Sequence, residues 1–286
     1  MNVGQVSQRC RTMAISGNSL TVPCVDETSR TTGSRFGGVR GHWVGEATTA
    51  TASKPAFRQV TLTLKKLMAI GYLTSELLED SPAAGQIIAS SFIDELAFLL
   101  DDAIINGDGA GKPLGILQSP CLVTVPKENG QAASSIVYEN ILKIWQRMPA
   151  SNRANCVWFI NQDVESSLYS MSLSVGTGGV PVWLPASGLA GSGNSSLFGR
   201  PVIPIEMAAT LGTVGDIVLA DMSQYLLATK SSGTKLDVSM HVRFLYDEHC
   251  YKCTLRIDGQ PLWSSALTPF KGSNPVSPFI TLATRA

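Results

Sequence analysis

Two stretches of this chain set reactive side chains at spacings that chemistry uses. Cys250 and Cys253 enclose Tyr251 and Lys252 in a CxxC arrangement with His249 beside it, the spacing of half a zinc site or of a redox dithiol. No second CxxC and no histidine pair at zinc-finger spacing accompanies it. In an extended strand, residues three apart turn to opposite faces, so two separate buried thiols are expected instead. The second stretch, INGDGAGKPLGIL at 105–117, contains Gly111-Lys112 and invites comparison with a phosphate-binding loop. The first glycine of that motif is replaced by Asn106, the hydroxyl residue after the lysine by Pro113, and the stretch follows a predicted helix where the motif must precede one. A helix stop and tight turn is the better account. His42, His241 and His249 are few for acid-base catalysis, and none stands in a nucleophile or HExxH setting. Glu76, Glu79 and Asp80 cluster before a predicted helix start, whose positive end they would face favourably. The sequence therefore assigns no catalytic residue, no cofactor and no metal site.

What must position these residues is a chain of 286 amino acids, 44% apolar and 15% charged, enough for one large or two modest domains with a real core. The 22 basic and 22 acidic residues cancel, which disfavours tight binding to DNA phosphates. No basic start followed by an apolar stretch opens the chain, and no run reaches the length of a membrane span, so a soluble, unsecreted protein without membrane contact is expected. Six cysteines scattered through a chain this long read as reduced thiols.

Periodicity divides the chain. Residues 1–40 are rich in Ser, Thr, Gly and Arg without a sustained helical or strand period, as in a flexible tail or an arm ordered only on other subunits. Residues 41–64 read as a long two-stranded projection, with Val60, Leu62 and Leu64 on one face of its second strand. A ribbon of that kind needs a body or a neighbour to lie on. The clearest helix runs from about Ala83 to Ile105, its stripe formed by Ile88, Phe92, Leu96, Leu99 and Ala103. Ser81 and Pro82 would start it and Asn106-Gly107 stop it. Asp101 and Asp102, near its negative end, read as solvated acids. Further on come a helix at 138–148, a buried strand at 156–160, a helix capped by Asn161, and a glycine- and serine-rich surface loop at 174–196. Strands follow at 201–205, 217–219 and 225–228. An antiparallel hairpin is predicted from the alternation of 236–246 and 251–257. The tail from Thr268 reads as an irregular contact segment. The class is α+β.

Read in order, several blocks resemble the major capsid proteins of tailed phages of the Hong Kong 97 type. They are WVGEATTATASKPAFRQVTLTLKKLMAIGYLTSELLEDS at 43–81, the long helix, INGDGAGKPLGIL, LFGRPVIPIEMA at 197–208, GDIVLADMSQYLL at 215–227 and LRIDGQPL at 255–262. Ala220 before Asp221 departs from the glycine common in the family. The resemblance implies a Hong Kong 97-like capsid fold: an N-terminal arm at 1–40, an E-loop hairpin at 41–64, a peripheral domain with its long spine helix at 65–120, an axial domain at 121–235, and a return to the peripheral domain with the C-terminal tail at 236–286. It implies a structural, non-enzymatic protein that forms hexamers and pentamers of an icosahedral head around double-stranded DNA, located in the virion and assembled in the host cytoplasm. Portal, scaffolding and decoration proteins would be its partners, with DNA held by weak, non-specific contact. Intersubunit contacts would fall on Trp43, Glu46, Lys54, Phe57 and Arg58, and near the capsomer axis on loop 174–196. Lys54 would be the lysine of any covalent crosslink, although no asparagine or glutamate partner can be placed. Two other readings stay open: an encapsulin-type compartment shell, and a thiol- or metal-dependent enzyme around Cys250 and Cys253.

Overall fold

A computed structural model describes residues 4–25, 27–31, 35–81, 84–175, 178–181, 183 and 196–285. Its strands are β1 (Arg11–Ile15), β2 (Ser19–Val25), β3 (Phe57–Thr63), β4 (Lys65–Thr74), β5 (Val123–Val125), β6 (Val157–Ile160), β7 (Ser172–Val175), β8 (Gly178–Pro181), β9 (Ser196–Leu197), β10 (Arg200–Pro204), β11 (Ile217–Ala220), β12 (Tyr225–Lys230), β13 (Lys235–Arg243), β14 (Glu248–Pro261) and β15 (Phe279–Leu282). The α-helices are α1 (Ser75–Asp80), α2 (Ala84–Asn106), α3 (Tyr138–Arg147) and α4 (Gln162–Tyr169). The chain is α+β, and it forms two compact units, each assembled from three separated segments.

The first unit comprises residues 1–21, 61–115 and 225–260. Its sheet runs β1-β12-β14-β13, with β4 also pairing with β14. Ten consecutive pairs, from Glu248↔Thr74 to Ile257↔Lys65, join β14 to β4 in antiparallel fashion. The alternation of β4 puts Leu73 among the buried residues and leaves Met68, Ile70 and Tyr72 exposed on the opposite face. The side of Leu73 faces α2. The Phe92 ring sits so close to Gly71 that a Cβ there would lie 2.9 Å from it, so the helix crosses the sheet where the side chain is missing. The 23 residues of α2 rise about 34 Å. Leu96, Leu100, Ala103 and Ile104 are its buried stripe; Leu99, expected there, is largely exposed. The start signal at Pro82 lies outside the described residues. Glu76, Glu79 and Asp80 precede α2 in the chain, as expected, but they are themselves part of a short helix, α1 (Ser75–Asp80).

The second unit comprises residues 22–60, 116–224 and 261–286. Its six-stranded sheet has the order β5-β15-β11-β6-β10-β9. Every residue of β6, β11 and β15 is buried, as expected of strands covered on both faces. α3 packs over β15 and β5 through Ile141 and Ile144. Asn161 caps α4 by accepting the Asp163 N–H at 3.0 Å, as its position in the sequence predicts. Trp158 is fully buried with its Nε1–H donated to the Leu197 carbonyl at 3.2 Å, which ties β9 to the sheet.

Four sequence expectations are corrected. Residues 1–40 carry strands: β1 pairs in parallel with β12, Arg11↔Leu226 through Ile15↔Lys230, and Val6, Cys10 and Ile15 are buried. β1 is five residues long, too short for its alternation to show a period in the sequence. The ribbon ending in β3 takes β2 as its other strand, and residues 39–56 form no strand, so its first strand lies in the predicted arm. The tail after Thr268 is not irregular throughout, since β15 enters the sheet between β5 and β11. For that reason 261–286 belongs to the second unit and does not return with β13 and β14 to the first. Of the predicted loop 174–196, Ser174, Val175, Gly178–Pro181 and Ser196 fall in strands, β7 pairing with β8 and β9 with β10, and most of the remainder lies outside the described residues.

Candidate assembly surfaces and the junction beneath them

Parts of four of the blocks that carry the resemblance, at 43–81, 105–117, 215–227 and 255–262, meet in the first unit. Lys65, the first residue of β4, directs its ammonium at three oxygens: the Asp258 carboxylate at 3.2 Å and the carbonyls of Gly109 and Lys112 at 2.8 and 2.6 Å. An ammonium has three donors, so none is left for other chemistry. Asp258 is buried, and its other oxygen accepts the Thr63 N–H at 2.9 Å. The Leu114 N–H donates to the Gly259 carbonyl at 2.9 Å, and the Tyr225 hydroxyl donates to the Leu114 carbonyl at 2.9 Å. Burial raises the Tyr225 phenol well above its ordinary range, which keeps it a neutral donor. A Cβ on Gly259 would lie 2.6 Å from the Tyr225 ring. The lysine after Gly111 in the apparent phosphate loop, Lys112, pairs loosely with Asp108 at 3.9 Å. The GDGAGK turn is thus held as a structural clasp between β4, β12 and β14.

Asp101 departs from its expected role as a solvated acid. It is buried, and its two carboxylate oxygens accept the backbone N–H groups of Val6 and Ser7 at 3.2 and 2.9 Å. An acid at the C-terminal end of α2 is unfavourable against the helix dipole. The two N–H donors supply the compensation and anchor the start of the chain. Asp101→Ala is expected to destabilise the first unit by about 1–3 kcal/mol by orphaning both donors. Limited proteolysis should then cut first within residues 4–10; an unchanged melting curve and digestion pattern would refute the anchor.

The CxxC thiols do not converge. Cys250 pairs across β14 with Tyr72 and Cys253 with Ala69, three residues apart on one strand and hence on opposite faces. Burial pushes the Cys253 thiol up, and pushes those of Cys121 and Cys156 up to about 11, so they are neutral and weakly nucleophilic near pH 7. Among the described residues no group of three His, Cys, Asp or Glu side chains gathers as a metal site, and no helix is long and apolar enough to cross a membrane.

Of the residues singled out for contact, Trp43 is wholly exposed and Glu46, Lys54 and Phe57 are exposed as well. Trp43 therefore does not pin its segment to its own unit. Arg58 differs: half-buried, it donates through Nη2 to the Leu262 carbonyl of its own unit. Lys54 shares an open cleft with Arg40 and His42, and no carboxylate lines it. The apolar row that alternation sets on one face of β13, Leu236, Val238, Met240 and Val242, is exposed along an edge strand and followed by exposed Phe244, Leu245 and Tyr246. Exposed apolar surface of this extent marks interaction surface more often than solvent-facing ornament.

A family profile described as the phage capsid family matches residues 1–272. This chain belongs to the phage capsid family. No curated protein sequence matches it. Among solved structures it is similar to the capsid of a native GTA particle, with 17% identity, a TM-score of 0.79, and coverage of 100% of this chain and 91% of that one. It is also similar to a chain from Microbacterium phage Oxtober96, at 13% identity and a TM-score of 0.68 over 99% and 91% of the two chains. A third, from Mycobacterium phage Cain, gives 13% identity and a TM-score of 0.63 over 99% and 90%. At these identities the likeness concerns fold, and the fold is the Hong Kong 97-like capsid fold. Family and fold together make this capsid protein a structural one. The clasp around Lys65 and Asp258 draws on four of the quoted blocks, those at 43–81, 105–117, 215–227 and 255–262, each of which supplies one side of it.

Proposed function

We propose that this capsid protein assembles as hexamers and pentamers into an icosahedral phage head around double-stranded DNA. The observation that carries this reading is a capsid-family chain that leaves large apolar groups in water on each of its units, Trp43 and Phe57 on one and the row on β13 on the other. Repeated identical contacts would cover such groups in every copy. In this reading residues 41–64, with β2 as the partner of β3, act as the E-loop and α2 as the spine of the peripheral domain, while the six-stranded sheet belongs to the axial domain. Trp43, Glu46, Lys54 and Phe57 then meet neighbouring copies, and Arg58 serves to brace the segment. A crosslink at Lys54 would need its asparagine and an assisting carboxylate from other copies, because its own cleft offers no acid. Portal, scaffolding and decoration proteins complete the head, which is assembled in the host cytoplasm. DNA touches the wall weakly, consistent with a chain of no net charge.

Negative-stain electron microscopy of the expressed chain is expected to show closed shells or capsomer rings. Monomers alone, even with the other head proteins co-expressed, would overturn the assignment. DNA recovered from native particles, as opposed to a protein cargo, separates a phage head from an encapsulin-type compartment.

A further inference from the structure

The face of the first unit's sheet that carries Met68 holds an open cleft of about 350 Å³. Five cations line it, Lys66, Lys230, Lys235, Lys252 and Arg256, against one acid, Asp237. Asp237 is already paired with Lys252 at 2.9 Å, and Lys230 donates to the carbonyls of Ser16 and Gly17. Lys66, Lys235 and Arg256 are exposed and form no ion pair among the described residues. Three neighbouring ammonium and guanidinium groups with no counter-charge repel one another, a cost that an anionic occupant removes.

The same unit carries the opposite sign at the other end of β4. Glu76, Glu79 and Asp80 on α1 are exposed and likewise form no ion pair among the described residues. The eight strand residues 67–74 separate Lys66 from this helix, roughly 30 Å, so one copy cannot bring the two charges together. We propose that the cationic cleft receives the acidic α1 segment of a second copy of this chain, in a head-to-tail contact. A heterologous contact of this kind generates rings, and its charge polarity fixes the direction in which successive copies dock. Two observations favour a second copy over nucleic acid. The chain's charges balance, so its uncompensated cations are matched in number by its own acids and not by an external polyanion. The exposed segment 35–58 carries Arg35, Arg40, Lys54 and Arg58 against Glu46, so it cannot supply the anion.

The proposal rests on the shell-forming reading, and the test separates the two. Lys66→Glu/Arg256→Glu, Glu76→Lys/Glu79→Lys and the combination of all four are compared with the unaltered chain by sedimentation of assembled particles. Circular dichroism of the unassembled protein verifies that each folds. Each reversal alone is expected to lower particle yield by about tenfold or more, the effect of like charges set against each other in every copy, while the fourfold variant recovers assembly. Folded variants that assemble as well as the parent, or a fourfold variant that does not recover, would overturn the contact. Reversals that assemble but retain less DNA would assign the cleft to phosphate and overturn it as well. An unaltered chain that never assembles would remove the shell-forming reading itself, and this contact with it.

Discussion

Arg285→Met is expected to destabilise the second unit by about 3–5 kcal/mol, the cost of leaving one partner of a buried ion pair alone. Both side chains of the Asp216–Arg285 pair are fully buried. Arg285 donates through Nη2 to Asp216, through Nε to the Ser135 carbonyl at 2.7 Å and through Nη1 to the Ala283 carbonyl at 3.2 Å. Asp216 in turn accepts the N–H groups of Gly212 and Ile217 at 2.9 and 2.8 Å. Burial pushes the Asp216 carboxyl up, and the Gly212 N–H and Arg285 oppose that push. Removing the guanidinium leaves burial with less opposition, so the folded-state pKa of Asp216 rises further above its unfolded value. A group shifted upward binds its proton more readily when folded; its stabilising contribution is full below the unfolded pKa and lost as pH rises through the folded one. The melting deficit of the variant should therefore be small in acid and grow toward neutral pH. Asp216→Asn/Arg285→Met should recover much of it at neutral pH. A deficit independent of pH would show that Arg285 matters by packing alone.

Gly107→Ala is expected to cost about 3 kcal/mol or more, because backbone atoms that no rotamer change can clear stand where the methyl group must go. A Cβ at Gly107 would lie 2.2 Å from the Pro113 carbonyl oxygen and 2.4 Å from that of Ala103. The same residue accepts the Gly115 N–H at 2.8 Å, so moving it away opens the clasp. Gly111→Ala, four residues on, is the control. Its φ of +75° makes the change unfavourable by about 1–2 kcal/mol, but nothing lies within 4 Å of its Cβ position. Urea unfolding of the two variants reads the difference. Equal losses would mean that the close approach at Gly107 relaxes, and that the turn conformation alone sets the requirement for glycine.

The elements that announced themselves in the sequence were those whose own residues decide them. α2, α3, the Asn161 cap and the hairpin of β13 and β14 follow from local period and capping chemistry, and the structure places them within a few residues of expectation. Strands β1 and β15 are short, and what makes them strands is a distant partner: β12 for the first, β11 and β5 for the second. No window around Arg11 or Phe279 contains that information. The same reason hid the clasp and the buried acids. Lys65 and Asp258 are 193 positions apart and Asp216 and Arg285 are 69 apart, so each looked like an ordinary charged residue. One hint was available: Asp258-Gly259 interrupts the apolar alternation of β14 with a charge that a strand buries only for a partner. The cluster of exposed contact residues rested on resemblance; the structure brings Trp43, Glu46, Lys54 and Phe57 to the surface and turns Arg58 inward.

The threading of the chain through its two units has a consequence for synthesis. The first unit lacks β14, the strand that joins β4, β12 and β13, until residue 261 has been made; the second lacks the interior strand β15 until residue 282. Neither can close as an N-terminal fragment, and each depends on pairings across long loops, the kind that form slowly. A polypeptide released early would display unpaired edges of β5 and β11 and the apolar face meant for β15, surfaces that aggregate or attract proteases. An incomplete copy would lack the surfaces of both finished units, because β14 and β15 are translated after every strand they pair with.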